Sequence, residues 1–305
     1  MNWRNFLWLF LLAALWGPSF LFIKVAVVEI PPLTLMLGRV GIAGIVLYLM
    51  LRTQGGNLLP FGRVWRHFAF MALMQHAIPF VLFGWGEQHI DSALAGILNG
   101  TTPLFTLILA HIFTHDDRLT PTKVVGTAVG FGGLLALIGP SLLGGVRATT
   151  WGLLAVTVAA ACYGVAIVYS RRHLRGLPPL VGPTTQLLLA ALYLLPISLL
   201  VEQPYRLPMP SWPAWGSLLG LSLLGTAIAF IVYYHLLNLV SATYLSMTTY
   251  LVPIFGVILG EVVLHEELGW NAYLGCGLIL VGVMIVNGLI KAQSWQRPTD
   301  VAVRP

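Results

Sequence analysis

Charge is what this sequence has least of. Asp, Glu, Lys and Arg make up 9% of 305 residues, where a soluble domain carries about a quarter. With 58% hydrophobic residues and a mean hydropathy of +0.87, the chain cannot clothe a water-facing surface. Lipid must be its solvent over most of its length. Cysteine is almost absent: Cys162 and Cys276 sit in apolar runs without metal-ligand spacing and read as small packing residues. The basic residues give a net charge of +6 but stand singly, without the dense clusters of a nucleic-acid surface. No P-loop and no HExxH segment occurs, which argues against an ATP-driven pump and the common metalloenzyme designs. The paired acids suited to a magnesium-bound diphosphate are the adjacent Asp116 and Asp117. No serine sits in a nucleophile elbow with a matched buried base. A membrane-embedded enzyme is therefore a weak alternative, and no cofactor or metal is implied.

Long apolar runs are what the sequence has in abundance. A bilayer core of roughly 30 Å needs about 20 helical residues. Runs of that order fall near 6–23, 34–51, 68–86, 92–113, 122–139, 151–169, 182–201, 215–237, 243–264 and 271–290. The first resembles a signal peptide in its MNWRNF opening, but it lacks a small-residue cleavage site and reads as an uncleaved span. With the N-terminus placed inside, twelve of sixteen Lys and Arg fall on the inner side and three (Lys24, Arg147, Arg206) outside, with Arg39 within a span. That bias predicts cytoplasmic termini in a cell or inner membrane. The tail 292–305 reads as a polar cytoplasmic segment.

The chain also repeats itself. LWG at 15–17 aligns with CYG at 162–164, offset by 147, and PPL at 31–33 with PPL at 178–180. AIPF at 77–80 aligns with AIAF at 227–230, offset by 150, and Pro103 and Phe105 then fall on Pro253 and Phe255. DRLTPTKVVG at 117–126 aligns with EELGWNAYLG at 266–275, offset by 149. Five spans per repeat is an odd number, so the second half must enter the membrane with opposite sense, as in many secondary transporters. The expected architecture is all-α and integral to the membrane. It has ten transmembrane helices, as two inverted five-helix repeats (1–140 and 149–291) around a central cavity.

LWGPSFLFIK, EIPPLTLMLGR, TTPLF, LVPIF and the DRLTP…G and HEEL…G endings resemble the EamA domains of the drug/metabolite transporter superfamily. The resemblance covers both halves. It implies ten helices, a cavity between the halves, and movement of small metabolites, often amino acids, usually by export. Alternating access between the halves is the expected mechanism. A passive channel is the alternative, although no ring of like side chains or filter-like loop is evident.

Several residues are candidates for contact with a solute. Trp16 lies about 15 Å into a core about 30 Å thick, far from an interfacial aromatic belt. Gly17 and Pro18 interrupt its helix, which suits a cavity wall or a kinked, tightly packed helix. Tyr163 repeats that position in the second half. In MQHAIPF, His76 and Phe80 share a face with Phe83 and Glu87, and Gln75 stands beside them. A mid-membrane histidine could bind a solute or relay a proton, or could be satisfied by a neighbouring helix. Asn99 and Thr102, with Thr106, form a stripe around Pro103, and Thr249 and Tyr250, with Ser246, form its counterpart before Pro253. Tyr234 shares a face with His235 and Asn238. Such groups can bind a zwitterion or act as glue between helices. Arg39 is placed about 9 Å below a span end, where its stem can snorkel to the interface or the group can pair within the protein, with a substrate carboxylate as the sharper alternative. One buried base is too few for a sugar phosphate, so an uncharged or zwitterionic metabolite fits better, with proton coupling an option. The loop acids Asp116, Asp117, Glu266 and Glu267 are read as helix caps.

Overall fold

Backbone amides in lipid have no water to bond and must be satisfied within the chain, so apolar runs of this length become helices. The computed structural model describes residues 3–60, 62–113, 120–143, 147–174, 176–178, 180–239 and 248–289, without the side chains of 141, 142, 234, 237, 238, 249 and 250. Helices joined by turns and short irregular connections make up the described residues. The rods are α1 (Trp3–Ala26), α2 (Pro32–Thr53), α3 (Trp65–Gly86), α4 (Ser92–Phe113), α5 (Pro121–Leu143), α6 (Ala148–His173) and α7 (Val181–Val201). They are followed by α8 (Trp212–Ser222, continuing through Leu223–Ile228 and Ala229–Leu239), α9 (Thr248–Leu264) and α10 (Trp270–Val286). The first eight are long and apolar enough to cross a membrane. The apolar helices Leu251–Leu264 and Trp270–Val286 are shorter than the expected runs 243–264 and 271–290. Parts of both expected runs, and the tail 292–305, lie outside the described residues.

Sequence chemistry marks the helix ends. Pro32 and Pro121 open α2 and α5, positions where a missing N–H costs no helical bond. Gly55, at φ 74°, stops the chain just beyond α2 in a backbone state that side chains resist. Each rod then divides its surface. On α7, Leu187, Ala190 and Leu194 are buried, whereas Leu192, Leu195, Leu199 and Leu200 are exposed. So much exposed leucine would be a liability in water and is ordinary against acyl chains.

Close approach through small residues holds the rods together, as expected where lipid supplies no hydrophobic drive between helices. A methyl added at Gly282 of α10 would come within 2.5 Å of the Gly130 backbone nitrogen in α5. One at Gly133 would come within 2.7 Å of the Gly275 carbonyl oxygen. These two helices occupy corresponding places in the two halves of the sequence. The Gly96 and Gly256 Cα atoms of α4 and α9 likewise meet without side chains between them.

Four rods are irregular along their length. α1 breaks at Gly17–Pro18, between Trp3–Trp16 and Ser19–Ala26. α4 breaks at Gly100–Thr101. α3 and α8 each contain one wide, π-helical stretch, Ala72–Ala77 and Leu223–Ile228. In α3, Pro79 removes a backbone donor just beyond that stretch, which favours a re-registered ladder. π-helical turns recur at functional sites, and these two occupy matching positions in the repeats.

Candidate functional site

The two π-helical stretches carry His76 and Thr226, and Arg39 of α2 lies with them. Thr226 donates its hydroxyl hydrogen to the Leu221 carbonyl at 2.9 Å. The same oxygen accepts from Arg39 Nε at 3.0 Å. The guanidinium carbon stands 3.6 Å from the centre of the Phe80 ring, a cation–π arrangement. His76 meets Phe80 edge-on at 5.4 Å and Phe230 of α8 at 5.8 Å. Phe83, one turn beyond Phe80, stacks on Tyr163 of α6 at 6.0 Å and tilts against Phe20 at 5.6 Å. One cation, one imidazole, a hydroxyl and a set of rings thus join α2 and α3 of the first half to α6 and α8 of the second.

Burial sharpens the chemistry. His76 is 1% exposed and Arg39 7%. Neither ring nitrogen of His76 makes a hydrogen bond, although Gln186 of α7 stands alongside. Arg39 makes no ion pair among the described residues; Tyr163 and Glu87 are its ionisable neighbours. Buried polar groups are normally paired, so this centre retains unused donors. Its rings Phe80 and Phe83 are buried as well. A cavity of about 350 Å³ opens elsewhere, beside Arg4, Leu7, Trp8 and Leu11 at the start of α1.

One end of the bundle is tied across the halves by carboxylates. Glu202, just past α7, accepts from the Leu33 and Thr34 backbone amides at 2.9 and 2.6 Å and from the Thr34 hydroxyl at 2.7 Å. Thr34 Oγ1 also lies 2.8 Å from Ser198 Oγ. Glu266, between α9 and α10, accepts from the Ser92 and Ala93 amides at 2.7 and 3.0 Å. Glu29, after α1, accepts from the Ser211 amide at 2.7 Å and from its hydroxyl. Each carboxylate meets the positive end of a helix belonging to the other half. The Ser211 bonds hold the Glu29 carboxyl below its usual range. Nearby, Lys24 Nζ donates to the Glu87 and Ile90 carbonyls at 2.9 and 2.6 Å. The fully buried Glu87 carboxylate has no hydrogen-bond partner.

The structure brings together only part of the set expected from sequence. His76, Phe80 and Tyr163 belong to the centre. Trp16 is half-buried and tilts against Tyr233 at 5.8 Å, on the α1–α8 side. Its neighbour Gly17 packs on Phe255. Gln75 is half-buried next to His76. Asn99 stands at the α4 break, where its carbonyl accepts the Thr102 hydroxyl at 2.8 Å. Thr106 likewise donates to the Thr102 carbonyl at 2.8 Å. These hydroxyls are spent on their own helix. The side chains of Tyr234, Thr249 and Tyr250 lie outside the described residues, as do Asp116, Asp117 and Ser246.

One expectation needs correction. Snorkelling of Arg39 to the interface does not occur: its side chain turns inward and pairs with Thr226 and Phe80. Glu266 caps a helix, the distant α4. Gln186 and Glu202 were not singled out by sequence. A Gln in the first turns of a buried helix and a Glu at the end of one are the weak signals that could have marked them.

The EamA-like transporter family matches twice, over residues 3–139 and 150–288, so the chain belongs to that family. It is a membrane transporter by family. It is 29% identical over 273 residues to the uncharacterized transporter YoaV of Bacillus subtilis, covering 89% of this chain and 92% of that protein. It is 28% identical over 280 residues to the uncharacterized inner membrane transporter YedA of Escherichia coli K12, covering 92% and 89%. A protein of Streptantibioticus cattleyicolor named "Probable terminal-alkyne amino-acid exporter" is 29% identical over 218 residues, 68% of each chain. A crystal structure titled only as that of a protein superposes with a TM-score of 0.64 at 22% identity, over 94% of this chain and 98% of the other, a likeness of fold.

Proposed function

We propose that this protein is a secondary transporter that exports amino acids or related small metabolites by alternating access. The observation that carries the reading is the buried polar centre of Arg39, His76 and Thr226, walled by Phe80, Phe83, Phe230 and Tyr163, where the halves of the chain meet. Lipid-facing residues gain nothing from such groups, and ionisable residues at this depth mark solute or ion paths. The amino-acid class is supported by the name of the Streptantibioticus cattleyicolor relative.

In this reading, residues 1–140 and 149–291 are five-helix units of opposite sense. Both termini are cytoplasmic in the inner or plasma membrane, and the carboxylate-capped end faces outward. Breaks in α1 and α4 and the wide turns in α3 and α8 are the places where rods bend as the halves rock. Trp16, Gln75, Asn99 and Thr102 line the path that opens to the centre.

Counterflow in liposomes tests the proposal. Purified protein loaded with an unlabelled amino acid panel, at imposed pH gradients, is expected to accumulate labelled solute saturably; a channel or scaffold gives no such exchange. Movement of label driven by the pH gradient would add proton coupling. His76→Ala is expected to lower the initial rate by about tenfold, the effect of losing one or two hydrogen bonds to a solute, with unchanged elution on size exclusion. Wild-type rates in that variant would return His76 to packing.

A further inference from the structure

Arg39 is a costly side chain to hold in the interior, buried at 7% exposure. Burying a guanidinium is costly unless a partner compensates, and a cation–π contact returns only part of that cost. Among the described residues, one hydrogen bond, from Nε to Thr226, is the sole polar bond of this side chain. Nη1 and Nη2, the pair that forms the planar fork for a carboxylate, are unused. The charge rests instead on the Phe80 face. His76, on the same ring, is almost wholly buried with two unpartnered nitrogens. Two sets of idle donors therefore flank one aromatic ring, in a region where idle donors are expensive.

Resting on the reading of this centre as the solute site, we propose that Arg39 and His76 form the receptor for the carboxylate of the transported solute. Arg39 gives the charge and the fork, His76 gives one N–H, and Phe80 and Phe230 meet the carbon skeleton. Thr226 is the positioning residue: its hydroxyl fixes Nε and leaves the fork free. The assignment stops at the carboxylate. Glu87, the buried acid with an unpartnered side chain, begins seven residues, or about 10 Å along the helix, from Phe80. An α-ammonium group is only a few bonds from its carboxylate. The class specified is a monocarboxylate with a skeleton that can face rings, and its amino group is tolerated rather than required.

The test compares carboxylates with their own amides on the unmodified protein, so it does not depend on a variant folding. Purified protein is screened by thermal shift and by competition in counterflow against paired amino acids, amino-acid amides, methyl esters, N-acetyl amino acids and 2-hydroxy acids. The acids are expected to bind at least about tenfold tighter than the amides and esters, the size of a charged hydrogen-bond pair. N-acetyl and hydroxy analogues are expected within about fivefold of the amino acid. In Arg39→Gln the acid-to-amide ratio is expected to fall toward one, whereas Arg39→Lys retains part of it. A purely structural Arg39 would lower stability for every ligand and leave the ratio alone. Amides that compete as well as acids, an unchanged ratio in an Arg39→Gln variant that elutes normally, or no stabilisation by any carboxylate would overturn the assignment. Stabilisation by hydroxy acids but not by amino acids would overturn the amino-acid reading and leave the carboxylate receptor standing.

Discussion

The two ends of the bundle are closed by different chemistry. At one end, Glu29, Glu202 and Glu266 each cross from one half of the chain to cap a helix of the other. At the opposite end, α3 meets α6 through rings. His67 Nδ1 lies 2.9 Å from the Tyr169 hydroxyl, Phe70 tilts against Tyr169 at 4.2 Å, and Tyr169 stacks on His173 at 4.3 Å. Carboxylate caps are directional and stop working once the helix start moves by an ångström or two. Stacked rings can slide and still touch, each pair contributing about 0.5–1.5 kcal/mol. The capped end therefore behaves as a latch with discrete states, and the aromatic end as a bearing. Alternating access as proposed requires both ends to separate, with the capped end the costlier one to release.

The largest effect is expected from Glu202→Ala, which strips the caps from Leu33 and Thr34 at the start of α2. Two partly buried amides left unpaired cost about 2 kcal/mol or more. Melting followed by tryptophan fluorescence is expected to shift down by several degrees, with faster labelling of a cysteine placed at the capped end. Glu266→Gln is expected to do less, about 1 kcal/mol, because the amide retains one acceptor oxygen for Ser92 or Ala93. Tyr169→Phe, at the other end, keeps the stack and loses one neutral hydrogen bond, so about 0.5–1 kcal/mol is expected. If it destabilised more than Glu202→Ala, the contrast between latch and bearing would be reversed.

The smallest effect is expected at Glu29. Ser211 holds its carboxyl below the usual range, so this contact is complete above the ordinary carboxylate pKa of about 4.3 and is lost as pH falls through the lowered value. Between pH 7 and pH 5 its contribution should be flat. Below about pH 4 the wild type should gain cysteine labelling at the capped end that Glu29→Gln shows at every pH. A rise in labelling on going from pH 5 to pH 7 would contradict the sign.

What the sequence made legible was set by composition along single helices. Apolar length marked the rods, the steady offsets pointed to the duplicated family, and His76 stood out because imidazole is rare at mid-membrane. What it concealed was pairing between distant segments. Arg39 has a depth in the sequence but no direction, and the hydroxyl that turns it inward belongs to Thr226, 187 residues away. Glu266 is read naturally as a cap for the helix it precedes, but its partners lie 174 and 173 residues back. The hydroxyls of Thr102 and Thr106 looked available at mid-depth and are bonded to carbonyls one turn earlier, a local choice that spacing alone does not disclose. The π-helical stretch in α8 has no proline to announce it, unlike its counterpart before Pro79 in α3.

The most direct test locks the latch. Thr34 and Ser198 are neighbours across the halves, with their hydroxyls 2.8 Å apart. A Thr34→Cys/Ser198→Cys protein, with Cys162 and Cys276 replaced by serine, should cross-link under mild oxidation. Counterflow should then stop and return when the disulfide is reduced. Full exchange by the cross-linked protein would show that the capped end never opens during transport and would contradict the account.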